Sequence, residues 1–358
     1  MLIRPGGTDA ALKLQLEYFT LLKNFIYSAM PRSTKRISRI LSTCLLLLFQ
    51  CPNLFAQNSH DSLKNADLFL AIRSGSSPEM IKQLDLGASP NAVSGDYSAL
   101  MAASLYGTPD QMKILLNRGA DINYLNKDSI TALWMAVPDW EKSNLLLDHG
   151  ANPASQSKEG YTVLYKLVIF PGSAPLLKRM LEMGVDPKRD RHSTMLLFNA
   201  VQSCDTNVVS QLLATGLNPD DSVFYGEYAL NSALFYRCSD VVKQLVDHGA
   251  NVNVCPKHFK NDFLNGITPL MNAAISNDKE SILYLLNHGA DPNAKSKKGF
   301  TAFMFLQQAE YDNPEMTLAF IQHGANVSEK AADGTDALYY ALKKGNTESV
   351  EIIRKSMH

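Results

Sequence analysis

Four of the eight histidines stand directly ahead of a glycine: His149, His248, His288 and His323. Histidine is the commonest metal ligand, so a recurring set invites a zinc reading. The recurrence itself argues against one shared ion. Repeating helical units sit about one helix diameter, roughly 10 Å, apart, whereas zinc holds its ligands at about 2 Å. A histidine in the last turn of a helix meets free carbonyls and the negative end of the helix dipole, and that is the role expected here. His192 and His258 have no serine and aspartate neighbours at a spacing that argues a triad, and no glycine-rich phosphate loop occurs. The sequence asks for no metal, no cofactor and no catalytic residue.

The histidine-glycine pairs belong to a longer series. Gly87, Gly119, Gly150, Gly184, Gly216, Gly249, Gly289 and Gly324 are separated by 32, 31, 34, 32, 33, 40 and 35 residues. Each is followed by a turn of one type, such as Ala120-Asp121-Ile122-Asn123 or Ala290-Asp291-Pro292-Asn293. The stretch Gly266 to Asn293 shows the whole unit. Thr268 is a helix N-cap, and Pro269 suits the first helical position. Ala273 and Ala274 allow close approach, and the second apolar helix, Ser281 to Leu286, stops at Gly289. Such a hairpin cannot bury both faces of its own helices and needs copies on either side. Weaker copies of its start are Ser98-Ala99-Leu100, Thr131-Ala132-Leu133, Thr162-Val163-Leu164 and Thr301-Ala302-Phe303.

On these residues the chain resembles the ankyrin-repeat family over roughly residues 62–358. The resemblance implies an all-α fold, an ankyrin-repeat α-solenoid of about nine helix-turn-helix repeats with short hairpin fingers. Two departures stand out: only Thr268-Pro269-Leu270 keeps the family's proline, and no copy keeps the histidine that follows the leucine. Met101, Trp134, Tyr165, Phe198, Asn231, Met271, Met304 and Tyr339 stand there, so apolar packing is expected in place of the family's side-chain hydrogen bonds.

The formal net charge is −1, with 46% hydrophobic and 19% charged residues. Seven basic and two acidic residues lie in 1–56, which leaves residues 57–358 with 27 basic, 33 acidic and a charge of −6. A mildly acidic solenoid without basic stripes is a poor ligand for phosphates, and nucleic acid is set aside as a partner.

Residues 30–56 carry the order of a secretory signal: Met30, the basic Arg32, Lys35, Arg36 and Arg39, the apolar run Ile40 to Phe49, and a polar end with Ala56 before the cut. Ten apolar residues are too few to span a bilayer, so no stable membrane span is expected in the mature chain. Leu48-Phe49-Gln50-Cys51 has the outline of a lipoprotein box, with Gln50 where a small residue is required. Lipid anchoring at Cys51 is therefore the lesser expectation, and export, periplasmic in a bacterium, the greater. Residues 1–29 read as an upstream extension; if they are part of the protein, the apolar run becomes an internal anchor. The repeat domain is placed at 57–358.

Beyond the signal the cysteines are Cys204, Cys238 and Cys255. Aligned on Val208-Val209 and Val241-Val242, Cys204 and Cys238 occupy neighbouring inter-helix loops one residue out of equivalence. Small buried thiols are expected; a bridge, which needs Cα atoms within about 7 Å, is the alternative.

In the family the residue before each helix start, and the pair closing the first helix, face the inner surface. Here the first group is Tyr97, Ile130, Tyr161, Ile267 and Phe300. The second is Leu105, Tyr106, Phe170, Phe235 and Tyr236. Trp140 joins them from a loop rebuilt around Pro138, next to another containing Pro171. Residues 256–265 lengthen one finger and carry Phe259 and Phe263, and insertions in repeat proteins map to loops on one face. An apolar row of this size points to another protein as partner, although several members could instead turn inward to fill gaps left by the missing histidines. The expected function is non-catalytic protein binding through the concave surface, as an inhibitor or immunity-type partner. The alternatives are a module that anchors or protects another envelope protein, and an enzyme with its site in the loops near Pro138 and Pro171.

Overall fold

The computed structural model describes residues 60–223, 226–256 and 266–357. The extension 1–29, the signal 30–56, His258 and the finger residues Phe259 and Phe263 lie outside the described residues.

Nine helix pairs follow one another. They are α1 (His60–Arg73) with α2 (Ser77–Asp85), α3 (Ala99–Tyr106) with α4 (Pro109–Asn117), and α5 (Ala132–Ala136) with α6 (Trp140–Asp148). Next come α7 (Val163–Leu167) with α8 (Ala174–Glu182), α9 (Ser193–Ala200) with α10 (Thr206–Ala214), and α11 (Ala229–Phe235) with α12 (Ser239–Asp247). The last are α13 (Pro269–Ile275) with α14 (Lys279–Asn287), α15 (Ala302–Leu306) with α16 (Pro314–Gln322), and α17 (Ala337–Lys344) with α18 (Thr347–Ser356). First helices pack on first helices and second on second, and every pair except α7 with α8 closes firmly on itself. The result is the two-layer α-solenoid expected from the repeat. One finger forms a two-stranded ribbon, β1 (Val93–Ser94) against β2 (Tyr97–Ser98), antiparallel with Ser94 opposite Tyr97.

Local chemistry sets each helix start. The Thr268 hydroxyl accepts from Met271 N at 3.3 Å, and Ser98, Thr131, Thr162 and Thr301 do the same for the residue three ahead. In the ninth repeat Asp336 replaces threonine and accepts from Tyr339 N at 2.8 Å. Met101, Met271 and Met304, which stand where the family has histidine, are buried in the core. Apolar packing fills that position in these copies. The eight marker glycines all have φ between 79° and 97°, a left-handed conformation that side chains resist.

In the first repeat α1 runs from His60 to Arg73, and α2 has the nine residues usual for the second helices. Ser76 caps α2 by accepting from Glu79 N at 3.3 Å, and a proline sits in its first turn. The last helix keeps Glu348, Glu351, Arg354 and Lys355 exposed, as a terminal cap requires.

Neighbouring turns are joined by asparagine rungs. Asn293 donates to the Gly324 carbonyl at 2.8 Å, and its own oxygen accepts from Asn326 N at 2.7 Å. Asn91, Asn123 and Asn253 repeat this pattern. Ala154 and Lys188 stand at the corresponding positions after Gly150 and Gly184, and Asp220 accepts from Asn251 N at 2.9 Å without an N–H to give back. The ladder is thus interrupted across the middle of the solenoid.

Covalent chemistry enters beside that interruption. Cys204 and Cys238 form a disulfide with Cα atoms 5.4 Å apart, which corrects the expectation of buried thiols. Cys238 is buried, Cys204 is exposed, and Cys255 is free. Being one residue out of equivalence did not prevent pairing, because both loops turn through a left-handed residue, Cys204 (φ 52°) and Arg237 (φ 59°). A crosslink over a separation of 34 residues stabilises by about 3–4 kcal/mol on chain-entropy grounds.

Candidate protein-binding surface

The row read from the sequence divides by burial. Tyr161 is 6% exposed and Ile267 3%, so both belong to the core. The alternative of inward turning holds for these two. Tyr161 stacks on His192 of the next finger, with ring centroids 4.2 Å apart and planes 12° apart, and its ring lies 4.6 Å from Tyr165. Burial pushes the Tyr161 hydroxyl up to about 12. Tyr97, Trp140, Phe170, Tyr236 and Phe300 are half-buried, each resting against the core. Burial raises the Tyr236 hydroxyl as well, and Phe300 stacks on Phe305 at 5.4 Å. Leu105, Ile130 and Phe235 are half-buried. Tyr106 is 42% exposed, with the Arg73 guanidinium 5.7 Å from its ring centre.

A tighter rule emerges when these positions are counted from the second helices. Leu105, Phe170, Phe235 and Ile275 each lie four residues ahead of one. Tyr106, Tyr236 and Tyr311 each lie three ahead. Ile275 (49% exposed) and Tyr311 (74% exposed) were absent from the sequence-derived row. The same register could have found them: Ile275 stands as far before Gly289 as Phe235 before Gly249, and Tyr311 as far before Gly324 as Tyr106 before Gly119. These residues make a strip at the turn between the layers. Phe235 and Tyr236 meet edge to face at 5.3 Å. Trp140, which is the first residue of α6 rather than a loop residue, borders the strip, its indole nitrogen 3.8 Å from where a side chain on Gly172 would begin; the start of α6 therefore packs on the next irregular loop.

The recurring histidines and the polar groups around His192 are engaged in hydrogen bonds within and between repeats. His149, His248, His288 and His323 each place Nδ1 2.8 Å from the carbonyl four residues back, closing the last helical turn. His192 lies with Nε2 3.1 Å from the Glu159 carbonyl, while the Thr162 hydroxyl donates to Asp190, which also accepts from His192 N at 2.7 Å. These contacts lock one finger to the next and leave the His192 ring away from the hydroxyl, so the set is not a triad. Lys142, nearly buried, donates to the Ser104 carbonyl at 3.3 Å. Among the described residues no group of three or more His, Cys, Asp or Glu could hold a metal ion, and no helix is long and apolar enough to cross a membrane.

Stacked helix pairs, left-handed glycine turns and capped short first helices define an α-solenoid built for contact along its length. Comparison agrees: a family description of ankyrin repeats in three copies matches residues 68–157, 100–191, 164–255, 197–296 and 270–357. The chain belongs to the ankyrin-repeat family, whose repeats generally mediate binding between proteins. It is 27% identical over 216 residues to the human SH3 and multiple ankyrin repeat domains protein 2, covering 59% of this chain and 11% of that one. It is 26% identical over 263 residues to the Caenorhabditis elegans ankyrin repeat and KH domain-containing protein mask-1, covering 72% and 10%. An ankyrin repeat-containing protein of Treponema pallidum is 37% identical over 107 residues, covering 27% and 36%. The chain therefore spans only a minor part of each of these relatives.

Proposed function

We propose that this protein is a non-catalytic scaffold that grips a partner protein through the concave face of the solenoid, acting after export as an inhibitor or immunity-type partner. The observation that carries the reading is the strip between the layers, where Tyr106, Ile275 and Tyr311 from three repeats stay exposed. Large apolar side chains held by a rigid scaffold are what hot spots are made of. Its half-buried neighbours Phe235 and Tyr236 continue the strip with one face already ordered, which lowers the entropy lost on binding. The order of residues 30–56 supports export, with the mature chain beginning at Gln57.

Site-specific photocrosslinking tests this reading. A crosslinker placed at Tyr106, Ile275 or Tyr311 should trap one common protein in the native compartment. The same group at Leu318, exposed on second-layer helix α16, should not. Equal trapping from both surfaces would overturn the assignment of the strip.

A further inference from the structure

Cys238 follows Tyr236 by two residues and directly precedes α12, so the bridge is fastened to the loop that carries the central aromatic pair of the strip. We infer that the Cys204–Cys238 disulfide positions Phe235 and Tyr236 and places this part of the binding surface under the control of dithiol reductants. The inference rests on the strip being the binding surface.

The loop has a defined but costly shape. Tyr236 N donates to the Ser232 carbonyl at 3.0 Å, Arg237 N to Leu234 at 3.1 Å and Cys238 N to Ala233 at 2.9 Å. Arg237 turns left-handed with φ 59°, and across the seam Cys204 does the same with φ 52°. Residues with a Cβ hold that conformation only where their surroundings impose it. Corresponding turns elsewhere use Gly75, Gly345 or Asn277, residues that adopt it more readily. At this seam two unfavourable turns face each other, and the covalent bond between them supplies the constraint. The asparagine ladder offers little substitute, since Asp220 forms only half a rung between the same two repeats.

Exposure decides which sulfur is open to attack. Cys204 is exposed and Cys238 buried. A dithiol reductant attacks through its thiolate at Cys204 Sγ, forming a mixed disulfide and expelling Cys238 as a thiolate, which takes up a proton. The second thiol of the reductant then closes on the mixed disulfide and releases Cys204. Two electrons and two protons pass to the cysteine pair, and the dithiol becomes a cyclic disulfide. With the bond gone, the two strained turns relax and the aromatic pair loses its fixed place, while the other repeats keep their own seams.

Hydrogen exchange of the full chain, read by mass spectrometry with and without dithiothreitol, tests this directly. Amides in 201–206 and 232–239 should exchange at least about tenfold faster after reduction, and those in 268–290 should not change. The Cys204→Ser/Cys238→Ser variant should show the fast pattern without reductant and no further response to it. If that variant does not fold, the wild-type comparison decides alone. Unchanged exchange at the loops, a uniform rise along all repeats, or a bridge that resists reduction in the native state would each overturn the inference. None of these readouts uses a partner, so they separate failure of the clamp from failure of the binding assignment.

Discussion

Tyr161 and Tyr106 belong to the two groups that the family register turns towards the inner surface, yet they carry opposite physical roles. Tyr161 is covered by His192 from the next finger, whereas Tyr106 meets solvent with the Arg73 guanidinium over its ring. Tyr161→Ala should cost about 3–5 kcal/mol of stability, as buried aromatics do, and Tyr106→Ala about 0.5 kcal/mol or less; chemical denaturation of the two variants checks this. The distinction was not legible in the sequence, because it depends on which finger side chain folds back over the ring. Glu227 gives a second test. Burial pushes its carboxyl from 4.5 up to about 7, so the native state binds this proton more readily than the unfolded chain. The stability it contributes is full below about pH 4.5 and is lost as pH rises through about 7. Relative to Glu227→Gln, the wild type should lose stability across that window; parallel melting curves at all pH values would contradict it.

Elements were more legible than side-chain orientation. The marker glycines and threonine caps can be read, because each is fixed by local backbone chemistry that a single residue type satisfies. The disulfide is legible only as the lesser alternative, since loop positions one residue out of equivalence meet only after both loops make left-handed turns. Nor was the asparagine ladder, whose rungs join turns about thirty residues apart. It makes a prediction that a sequence pattern alone does not. Asn293→Ala removes two inter-repeat hydrogen bonds and should cost about 1–2 kcal/mol. Ala154→Asn can restore a missing rung towards Gly184 and should raise stability by about 0.5–1 kcal/mol, measurable as a higher denaturation midpoint. A loss on Ala154→Asn would mean that the central turns are held apart by more than a missing side chain.

At the scale of the molecule the solenoid gives each repeat only its neighbours to lean on, so stability is a sum over seams. The middle seams, with an interrupted ladder and a disulfide beside it, are where the fold departs most from regularity. The aromatic strip runs through that region, which couples the shape of the proposed binding surface to the least regular joints. Export belongs to this scale too: expression from Met30 in a secreting bacterium should give a periplasmic product whose intact mass begins at Gln57, and retention of residues 30–56 on a cytoplasmic product would contradict it. Titration of the crosslinked partner, once purified, against Tyr106→Ala, Ile275→Ala and Tyr311→Ala, with Leu318→Ala as control, decides whether the strip is the binding surface. Each strip variant should weaken binding by roughly 1–3 kcal/mol, about fivefold to 150-fold, with an unchanged melting temperature. Affinities equal to the control in all three folded variants would show that the strip is not where this protein meets its partner.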